Sequence, residues 1–289
     1  MNDNRRNFLK LSFMAGIGIA NARDLAIDSP LIHGTERKLS VERFNMSGYA
    51  APALNTVRVG FIGLGMRGPT HLKNLSKLEG VEIKALCDVR KNKVLSAKKM
   101  LEGSKHNPII YSENTDDWKK LCEQKDIDIV YIATPWDMHT PMAVYAMEQG
   151  KHAFTEVPAA VTLDECWQLV ETSERTKKHC MMLENCCYDF FELLTLNLVR
   201  QGFFGEIVHT EGAYIHNLLG LNFDKTTGYW DMWRLKENAK RNGNLYPTHG
   251  LGPLCQLMDI NRGDRMDYLV SMSGIDFTMG AKAKELAAG

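Results

Sequence analysis

The sequence predicts an α/β protein in two parts: an N-terminal Rossmann domain with a doubly wound parallel sheet, then an α+β domain with an open, mostly antiparallel sheet. Three observations lead to this prediction. Short β-branched runs alternate with helical patterns between residues 57 and 184. A complete Gly-x-Gly-x-x-Gly motif follows the first of these runs. A long segment of alternating polarity, typical of a sheet with one covered face, begins only at residue 206.

The predicted domain boundaries follow these changes along the chain. Residues 1–22 are expected to form a signal peptide, residues 23–55 a polar arm, residues 56–187 the Rossmann domain and residues 188–289 the α+β domain. At 289 residues, the chain has the length of two ordinary domains. A helical pattern is still beginning at its end, so the second domain is expected to be truncated.

The Rossmann part contains six strand-like runs separated by helical patterns. The predicted strands are 57–62, 81–87, 109–111, 127–133, 152–156 and 179–184, and the predicted helices are 70–78, 91–102, 114–124, 140–149 and 162–177. Gly150 ends the fourth of these helices, which is a common role for glycine. This alternation predicts a parallel sheet with helices on both faces.

The second part has a different pattern. It is expected to contain helices at 189–201 and 249–260, strands at 206–216 and 268–276, and a helix beginning near 281. Between them, residues 217–248 form a predicted loop rich in Trp, Asn, Gly and Arg. A loop of this length in a compact domain usually has a function.

The composition excludes several classes of protein. Thirty-five Lys and Arg residues balance thirty-five Asp and Glu residues, which argues against nucleic acid or an anionic membrane as a partner. No apolar stretch reaches the roughly 18 residues of a membrane span, so no stable membrane insertion is expected. The seven cysteines include no Cys-x-x-Cys pair and lie in apolar runs, so neither a disulfide framework nor a metal site is predicted. The sequence leaves open whether the chain forms a homo-oligomer.

The first residues resemble a twin-arginine export signal. Arg5 and Arg6 precede Phe-Leu-Lys, a weakly apolar run follows at 11–19, and Ala20-Asn21-Ala22 suits a signal peptidase. The alternative is a basic N-terminus without a targeting role. The resemblance implies the twin-arginine export machinery as a partner and a periplasmic or cell-envelope location. Because that machinery moves folded proteins, a cofactor loaded in the cytoplasm would travel with the chain.

The strongest chemical signal is the glycine motif of residues 63–68. Gly63 permits a tight turn, Gly65 lets the backbone approach a pyrophosphate, and Gly68 permits close packing of helix on strand. The following helix offers free N–H groups to the phosphates. Asp88 ends the second strand, where a carboxylate accepts hydrogen bonds from ribose hydroxyls and disfavours a 2′-phosphate. NAD is therefore predicted rather than NADP, although Arg90 lies nearby.

Two further motifs lie where predicted strands end. Residues 134–139 read Thr-Pro-Trp-Asp-Met-His, and residues 156–160 read Glu-Val-Pro-Ala-Ala. In an open α/β sheet, ligands bind at the carboxyl ends of the strands. Each motif alone is also compatible with an ordinary connecting loop, but their shared edge favours a role in binding.

With these motifs, the chain resembles the glucose-fructose oxidoreductase/inositol dehydrogenase (Gfo/Idh/MocA) superfamily, and within it glycosyl hydrolase family 109. The specific resemblance includes Glu-Val-Pro-Ala-Ala, Glu-Asn-Cys-Cys-Tyr at 184–188, and Arg-Asn-Gly-Asn-Leu-Tyr-Pro-Thr-His-Gly-Leu-Gly-Pro at 241–253. Other superfamily members usually read Glu-Lys-Pro, and the lysine assists the catalytic base. Val157 occupies that position here and cannot exchange a proton.

The resemblance implies an α-N-acetylgalactosaminidase that keeps NAD bound and hydrolyses a terminal α-linked sugar. The chemistry implied is oxidation at C3, elimination across C1 and C2, addition of water and re-reduction. One alternative is an NAD-dependent sugar oxidoreductase of the same superfamily, against which Val157 argues. The other is a catalytically inactive fragment that binds NAD or sugar.

The resemblance also implies a set of site residues. The expected NAD contacts are Gly63, Gly65, Met66, Arg67, Gly68, Asp88, Trp136, Asp137, Met138, His139, Glu156, Val157 and Asn185. The expected substrate contacts are Tyr214, Arg234, Tyr246, Pro247, Thr248 and His249. Tyr246 and His249 are expected to transfer protons, because imidazole and phenol groups are suited to acid–base work, but the sequence does not divide the two roles. Trp230 and Trp233 are expected either to face the sugar or to lie in the core.

Overall fold

The computed structural model describes residues 44–241, 244–275 and 277–288. The predicted signal peptide and most of the predicted arm lie outside the described residues, so twin-arginine export stays a prediction. Among the described residues, no helix combines the length and apolar character needed to cross a bilayer.

Six parallel strands form the sheet that organises the fold. They are β1 (Val57–Ile62), β2 (Val81–Cys87), β3 (Ile109–Tyr111), β4 (Ile129–Ile132), β5 (His152–Thr155) and β6 (Cys180–Met182), in the order β3-β2-β1-β4-β5-β6. The order reverses between β1 and β4, which is where open α/β sheets bind ligands. Register aligns Ile62 with both Cys87 and Ile132, so β1, β2 and β4 end at one edge.

Ten α-helices are present among the described residues. Five accompany the sheet: α1 (Gly68–Leu75), α2 (Lys91–Lys99), α3 (Asp117–Glu123), α4 (His139–Glu148) and α5 (Leu163–Thr176). Five follow it: α6 (Phe190–Arg200), α7 (Leu219–Phe223), α8 (Trp233–Lys240), α9 (Thr248–Leu257) and α10 (Thr278–Ala288). The predicted α/β class and parallel Rossmann sheet are confirmed.

Helices cover the sheet on both faces and create two apolar clusters. On one face, Ile132 of β4 packs with Leu121 of α3 and Ala143 of α4. On the other, Phe61 of β1 packs with Leu72 of α1 and other buried side chains. Apolar burial on both faces explains why these strands appear in the sequence as short, nearly continuous apolar runs.

The predicted antiparallel sheet of the second part is wrong for the described residues. Segments 206–216 and 268–275 contain no strand, and Val208 and Ile215 are 87% and 93% exposed. The alternation is real, but a strand requires a neighbour to pair its backbone groups, and no described residue beyond 188 supplies one. The first segment instead runs along α9, where a Cβ on Gly212 would lie 2.8 Å from the carbonyl oxygen of Gly250.

The predicted loop of residues 217–248 also contains more structure than expected. It includes α7 and α8, separated by a turn in which the Asp224 carboxylate accepts hydrogen bonds from the backbone N–H groups of Thr226 and Thr227. In α8, the buried Glu237 forms ion pairs with Lys240 and Arg241. These local interactions, at helical spacing, support α8 despite its polar sequence.

The histidine at the start of β5 makes stability depend on pH. Burial lowers the pKa of His152 from 6.5 to about 4, and its Nδ1 accepts a hydrogen bond from the backbone N–H of His179 at 2.9 Å. Between these two pH values, the unfolded chain binds a proton that the folded chain excludes, so the free energy of unfolding falls as the pH drops. We expect His152→Asn to weaken this acid sensitivity, measured as thermal midpoints between pH 7 and pH 4.5.

The exposed His209 provides the matched control, since His209→Asn leaves the pH dependence unchanged if burial is the cause. Equal acid sensitivity of the His152→Asn variant and the unmodified chain would contradict this interpretation.

Candidate active site

The glycine loop between β1 and α1 has the form needed to receive a pyrophosphate. Gly63 has a φ of 91°, and a Cβ there would lie 2.5 Å from the carbonyl oxygen of Ala133. A Cβ on Gly68 would lie 2.2 Å from the carbonyl oxygen of Gly63, so this position also requires glycine. At Gly65, by contrast, a Cβ would meet only the end of the Arg90 side chain, at 3.4 Å. The backbone is therefore closely packed at Gly63 and Gly68, whereas the space above Gly65 is free for a ligand.

Asp88 holds this loop in place from the end of β2. One carboxylate oxygen accepts a hydrogen bond from the Leu64 N–H at 2.7 Å, and the other accepts one from the Arg90 N–H at 2.8 Å. The side chain is buried, and the oxygen facing Arg90 also accepts a hydrogen bond from Nε of Arg90 at 3.3 Å. The oxygen bound to Leu64 therefore retains capacity for a second hydrogen bond. The position thus fits the predicted ribose contact and adds a structural role that the motif alone does not reveal.

The loops after β4 and β5 are tied together by His139. Its Nδ1 lies 2.7 Å from the carbonyl oxygen of Pro158, and its Nε2 lies 2.8 Å from that of Thr134. Burial lowers the pKa of His139, and the neutral ring has one N–H, so it donates to one of these carbonyl oxygens and lies beside the other. The ring therefore connects the two loops, and its expected contact with NAD stays a prediction.

A buried carboxylate lies at the same edge. Glu156 pairs with His71 of α1. Burial acts to raise the pKa of Glu156, but the contact with His71, the charge of Arg67 and the backbone N–H of Val157 together outweigh it, so the pKa is lowered. No sequence motif points to His71, which is 85 residues away from Glu156. The apolar side chain of Val157, the next residue after Glu156, is buried.

The predicted substrate residues converge into one cluster. The rings of Tyr214 and Tyr246 lie 4.6 Å and 4.7 Å from that of His249, measured between centroids. The Tyr246 ring stacks on Trp136 at 5.8 Å, which connects the cluster to the loop after β4. The Arg234 guanidinium lies 4.7 Å from the Tyr246 ring centroid. Residues that are distant in sequence thus meet beside the carboxyl edge of the sheet.

The remaining predicted residues lie around this edge with fewer contacts. Thr248 has a buried hydroxyl without a hydrogen-bond partner among the described residues. The more exposed predicted contacts are Met66, Arg67, Asp137, Asn185 and Pro247, while Met138 is half-buried in the turn that precedes α4.

Glu184 is a site residue that sequence reasoning missed. Its Oε1 lies 2.5 Å from Nδ1 of His249 and also accepts a hydrogen bond from the Cys186 N–H at 3.0 Å. Its Oε2 is buried without a partner among the described residues, so the contact with His249 is the main compensation for burying the carboxylate. The residue stands in the quoted Glu-Asn-Cys motif, but 65 positions separate it from His249.

The pair fixes the chemistry of His249. An ionised carboxylate only accepts hydrogen bonds, so Nδ1 carries a proton, and in the neutral ring the lone pair is then on Nε2. A Cβ on Gly252 would lie 3.0 Å from Cγ of Glu184, so glycine at that position makes room for the pair. His249 is thereby prepared to accept a proton through Nε2.

Glu184, Cys186 and His249 also have the composition of a metal-binding group, with candidate ligand atoms within 4.8 Å of one another. The direct Glu184–His249 hydrogen bond leaves no space for an ion between these two side chains. Burial, together with Glu184, raises the pKa of the Cys186 thiol to about 11, so the thiolate form that binds metals is disfavoured. This arrangement favours a proton-transfer pair.

Replacing Glu184 by glutamine should remove the preference of His249 for the tautomer that is protonated at Nδ1. In the unmodified chain near pH 8, we expect nitrogen NMR to show Nδ1 protonated and Nε2 unprotonated. In Glu184→Gln, the amide can donate to Nδ1, so both tautomers should be populated. His152, which lies at the opposite end of β5, serves as the internal reference. An unchanged His249 tautomer in the variant would contradict the orienting role of Glu184.

The fold and the glycine loop define the class of protein: an NAD-binding protein of the Gfo/Idh/MocA type. The family described as "Oxidoreductase family, NAD-binding Rossmann fold" matches residues 57–184. In solved structures, the fold is similar to that of scyllo-inositol dehydrogenase from Lactobacillus casei with bound NAD(H) and scyllo-inositol, with a TM-score of 0.56 at 21% identity. That match covers 71% of this chain and 56% of the other.

The chain belongs to glycosyl hydrolase family 109. The family described as "Glycosyl hydrolase 109, C-terminal domain" matches residues 188–283. A Bacteroides fragilis family 109 protein is 57% identical over 226 residues, which cover 78% of this chain and 48% of that protein. An α-N-acetylgalactosaminidase from Bacteroides fragilis is 53% identical over 241 residues, covering 82% and 56%. The chain thus spans about half the length of the curated relatives it matches.

Proposed function

We propose that this chain is an NAD-dependent glycoside hydrolase that releases terminal α-linked N-acetylgalactosamine. The observation that carries the proposal is the Glu184–His249 pair, located in an aromatic cluster that reaches the loop after β4. A proton-transfer group thus lies at the edge of the sheet that holds the dinucleotide loop. The named α-N-acetylgalactosaminidase among the relatives supports the choice of sugar.

The residues at this edge fit NAD. The open position above Gly65 admits a phosphate, and Asp88 offers acceptor capacity beside the loop. When bound, NAD⁺ supplies a hydride acceptor that also returns the hydride, which permits elimination and water addition at the sugar without net oxidation. No pair of carboxylates with the spacing of an ordinary glycosidase is then required.

His249 and Tyr246 have complementary properties for the proton transfers. Nε2 of His249 accepts a proton from the sugar, while Glu184 stabilises the positive charge that develops on the ring. Burial raises the pKa of the Tyr246 hydroxyl and outweighs the opposing effect of Arg234, so the hydroxyl remains protonated near neutral pH. Tyr246 therefore donates a hydrogen bond to a sugar oxygen.

Arg234 and Tyr214 position the sugar. The Arg234 guanidinium is held by a hydrogen bond to the Tyr229 hydroxyl at 2.9 Å and lies over the rings of Trp136 and Tyr246. A cation fixed in this way offers directed N–H donors to sugar hydroxyls. Tyr214 is 40% exposed and closes the other side of His249, so it is available to a ligand.

A chromogenic sugar tests the proposal. The purified chain is incubated with a nitrophenyl α-N-acetylgalactosaminide in deuterated water. Release of nitrophenol without net NADH, together with deuterium at C2 of the product, is expected. Accumulation of NADH would favour a sugar oxidoreductase instead. Absence of both signals would indicate a binding protein without turnover, and retention of protium at C2 would contradict the elimination step.

A further inference from the structure

Two tryptophans on one short segment contact residues on both sides of the glycine loop. Residues 230–233 read Trp-Asp-Met-Trp: residues 230–232 form a short 3-10 turn, and Trp233 begins α8. The guanidinium carbon of Arg90 lies 5.2 Å from the centroid of the Trp230 ring. The Trp233 ring meets Trp136 edge-on, with 5.3 Å between the centroids. Neither tryptophan has a role in the site described above.

The partners of these tryptophans flank the glycine loop. Arg90 follows β2 and Trp136 follows β4, while the glycine loop follows β1, which lies between these two strands in the sheet. The Arg90 side chain is fixed by Asp88, whose Oδ1 lies 3.3 Å from Nε. A terminal nitrogen of Arg90, Nη2, lies 3.4 Å from the position of a Cβ on Gly65. Trp230 thus covers the residue that borders the open phosphate position.

The backbone between the tryptophans has an unusual conformation. Asp231 and Met232 both adopt left-handed φ angles, 51° and 47°, which are unfavourable for residues other than glycine. Asp231 is held by an ion pair with Lys236 at 2.6 Å. This turn allows residues only three positions apart to reach Arg90 and Trp136, which follow different strands.

We propose that Trp230 and Trp233 form a strap that retains the bound dinucleotide. Trp230, stacked on Arg90, would cover the adenosine end of NAD, and the contact of Trp233 with Trp136 would anchor the other end of the strap. A large flat ring over a fixed guanidinium excludes water and must move before a ligand beneath it can leave. The inference depends on NAD binding and not on the hydrolase activity.

The dissociation rate of NAD tests the strap. Trp230→Ala should release NAD about tenfold faster than the unmodified chain, since a stacked cation–aromatic contact is lost. Trp230→Phe keeps an aromatic face and should restore most of the retention. Trp167→Ala is the matched control, because Trp167 is 45% exposed on α5 compared with 50% for Trp230, and it should leave the rate unchanged.

Hydrogen–deuterium exchange of the unmodified chain provides a second readout that needs no variant. Amide exchange in the peptide spanning residues 228–236 should slow when NAD is added. Equal NAD release from Trp230→Ala and the unmodified chain, or exchange that NAD does not change, would overturn the strap. Failure of the unmodified chain to take up NAD would overturn both the strap and the cofactor site.

Discussion

Replacing His249 by alanine is expected to reduce turnover of an α-N-acetylgalactosaminide by about 10²–10⁴-fold, the usual contribution of a general acid–base group. The imidazole is the group in the aromatic cluster with a carboxylate partner, Glu184, at 2.5 Å. Bound NAD should remain, because His249 lies on α9 and not on the glycine loop. Turnover is measured by nitrophenol release, and NAD content by mass spectrometry of the same sample.

The exposed His209 provides the control for this substitution. His209→Ala removes an imidazole of the same size from the second part of the chain and should retain full turnover. If His249→Ala keeps its activity, His249 does not transfer the proton. If it loses NAD as well as activity, the substitution acts through the structure and not through the reaction.

Replacing Gly65 by alanine should weaken NAD binding by about tenfold or more while the fold persists. The added Cβ would meet only a terminal nitrogen of Arg90, at the ordinary van der Waals distance of 3.4 Å, so the protein itself accommodates it. The same methyl group would occupy the space through which the loop backbone approaches a phosphate. Titration of the apoprotein with NAD measures the affinity, and thermal unfolding without NAD measures the stability.

Substitutions at two other glycines provide comparisons for Gly65→Ala. Gly68→Ala would place a Cβ 2.2 Å from a backbone oxygen, so it should destabilise the loop even without NAD. A Cβ on Gly280 of α10 meets nothing within 4 Å, so Gly280→Ala should leave NAD binding unchanged and should not lower the stability. If Gly65→Ala binds NAD like the unmodified chain, phosphate does not bind above this loop.

The Rossmann sheet could be predicted from the sequence because its signals are local. A run such as Val57–Ile62 is buried on both faces, and the glycine that follows it has a steric reason visible in the motif itself. Helix ends were less accurate: α2 ends at Lys99 instead of residue 102 because the last turn loosens beyond it. Such ends depend on a few weak hydrogen bonds.

The second part could not be predicted in the same way, because its structure depends on partners far away in the sequence. The alternating segment 206–216 has the polarity of a strand, but pairing is a property of two segments, and the described residues provide only one. A helix such as α8, with Glu237 paired to Lys240 and Arg241, depends instead on charge pairs that apolar periodicity does not detect.

The candidate site shows the same division. Motif matching identified Tyr246 and His249, and the structure places their rings 4.7 Å apart. It did not identify the partners that orient such groups: Glu184 for His249, and His71 for Glu156. Each partner is an ordinary polar residue in its own segment, and only the folding of the sheet brings it to the site.

The central claim is that the chain holds a dinucleotide at the carboxyl edge of its parallel sheet and reuses it during hydrolysis. Native mass spectrometry of the purified chain tests this claim most directly. We expect a fraction of the protein to carry the added mass of NAD, and this fraction to rise when NAD is supplied and to be lost in Gly65→Ala. A chain that carries no nicotinamide, and takes up none when it is supplied, would contradict the account.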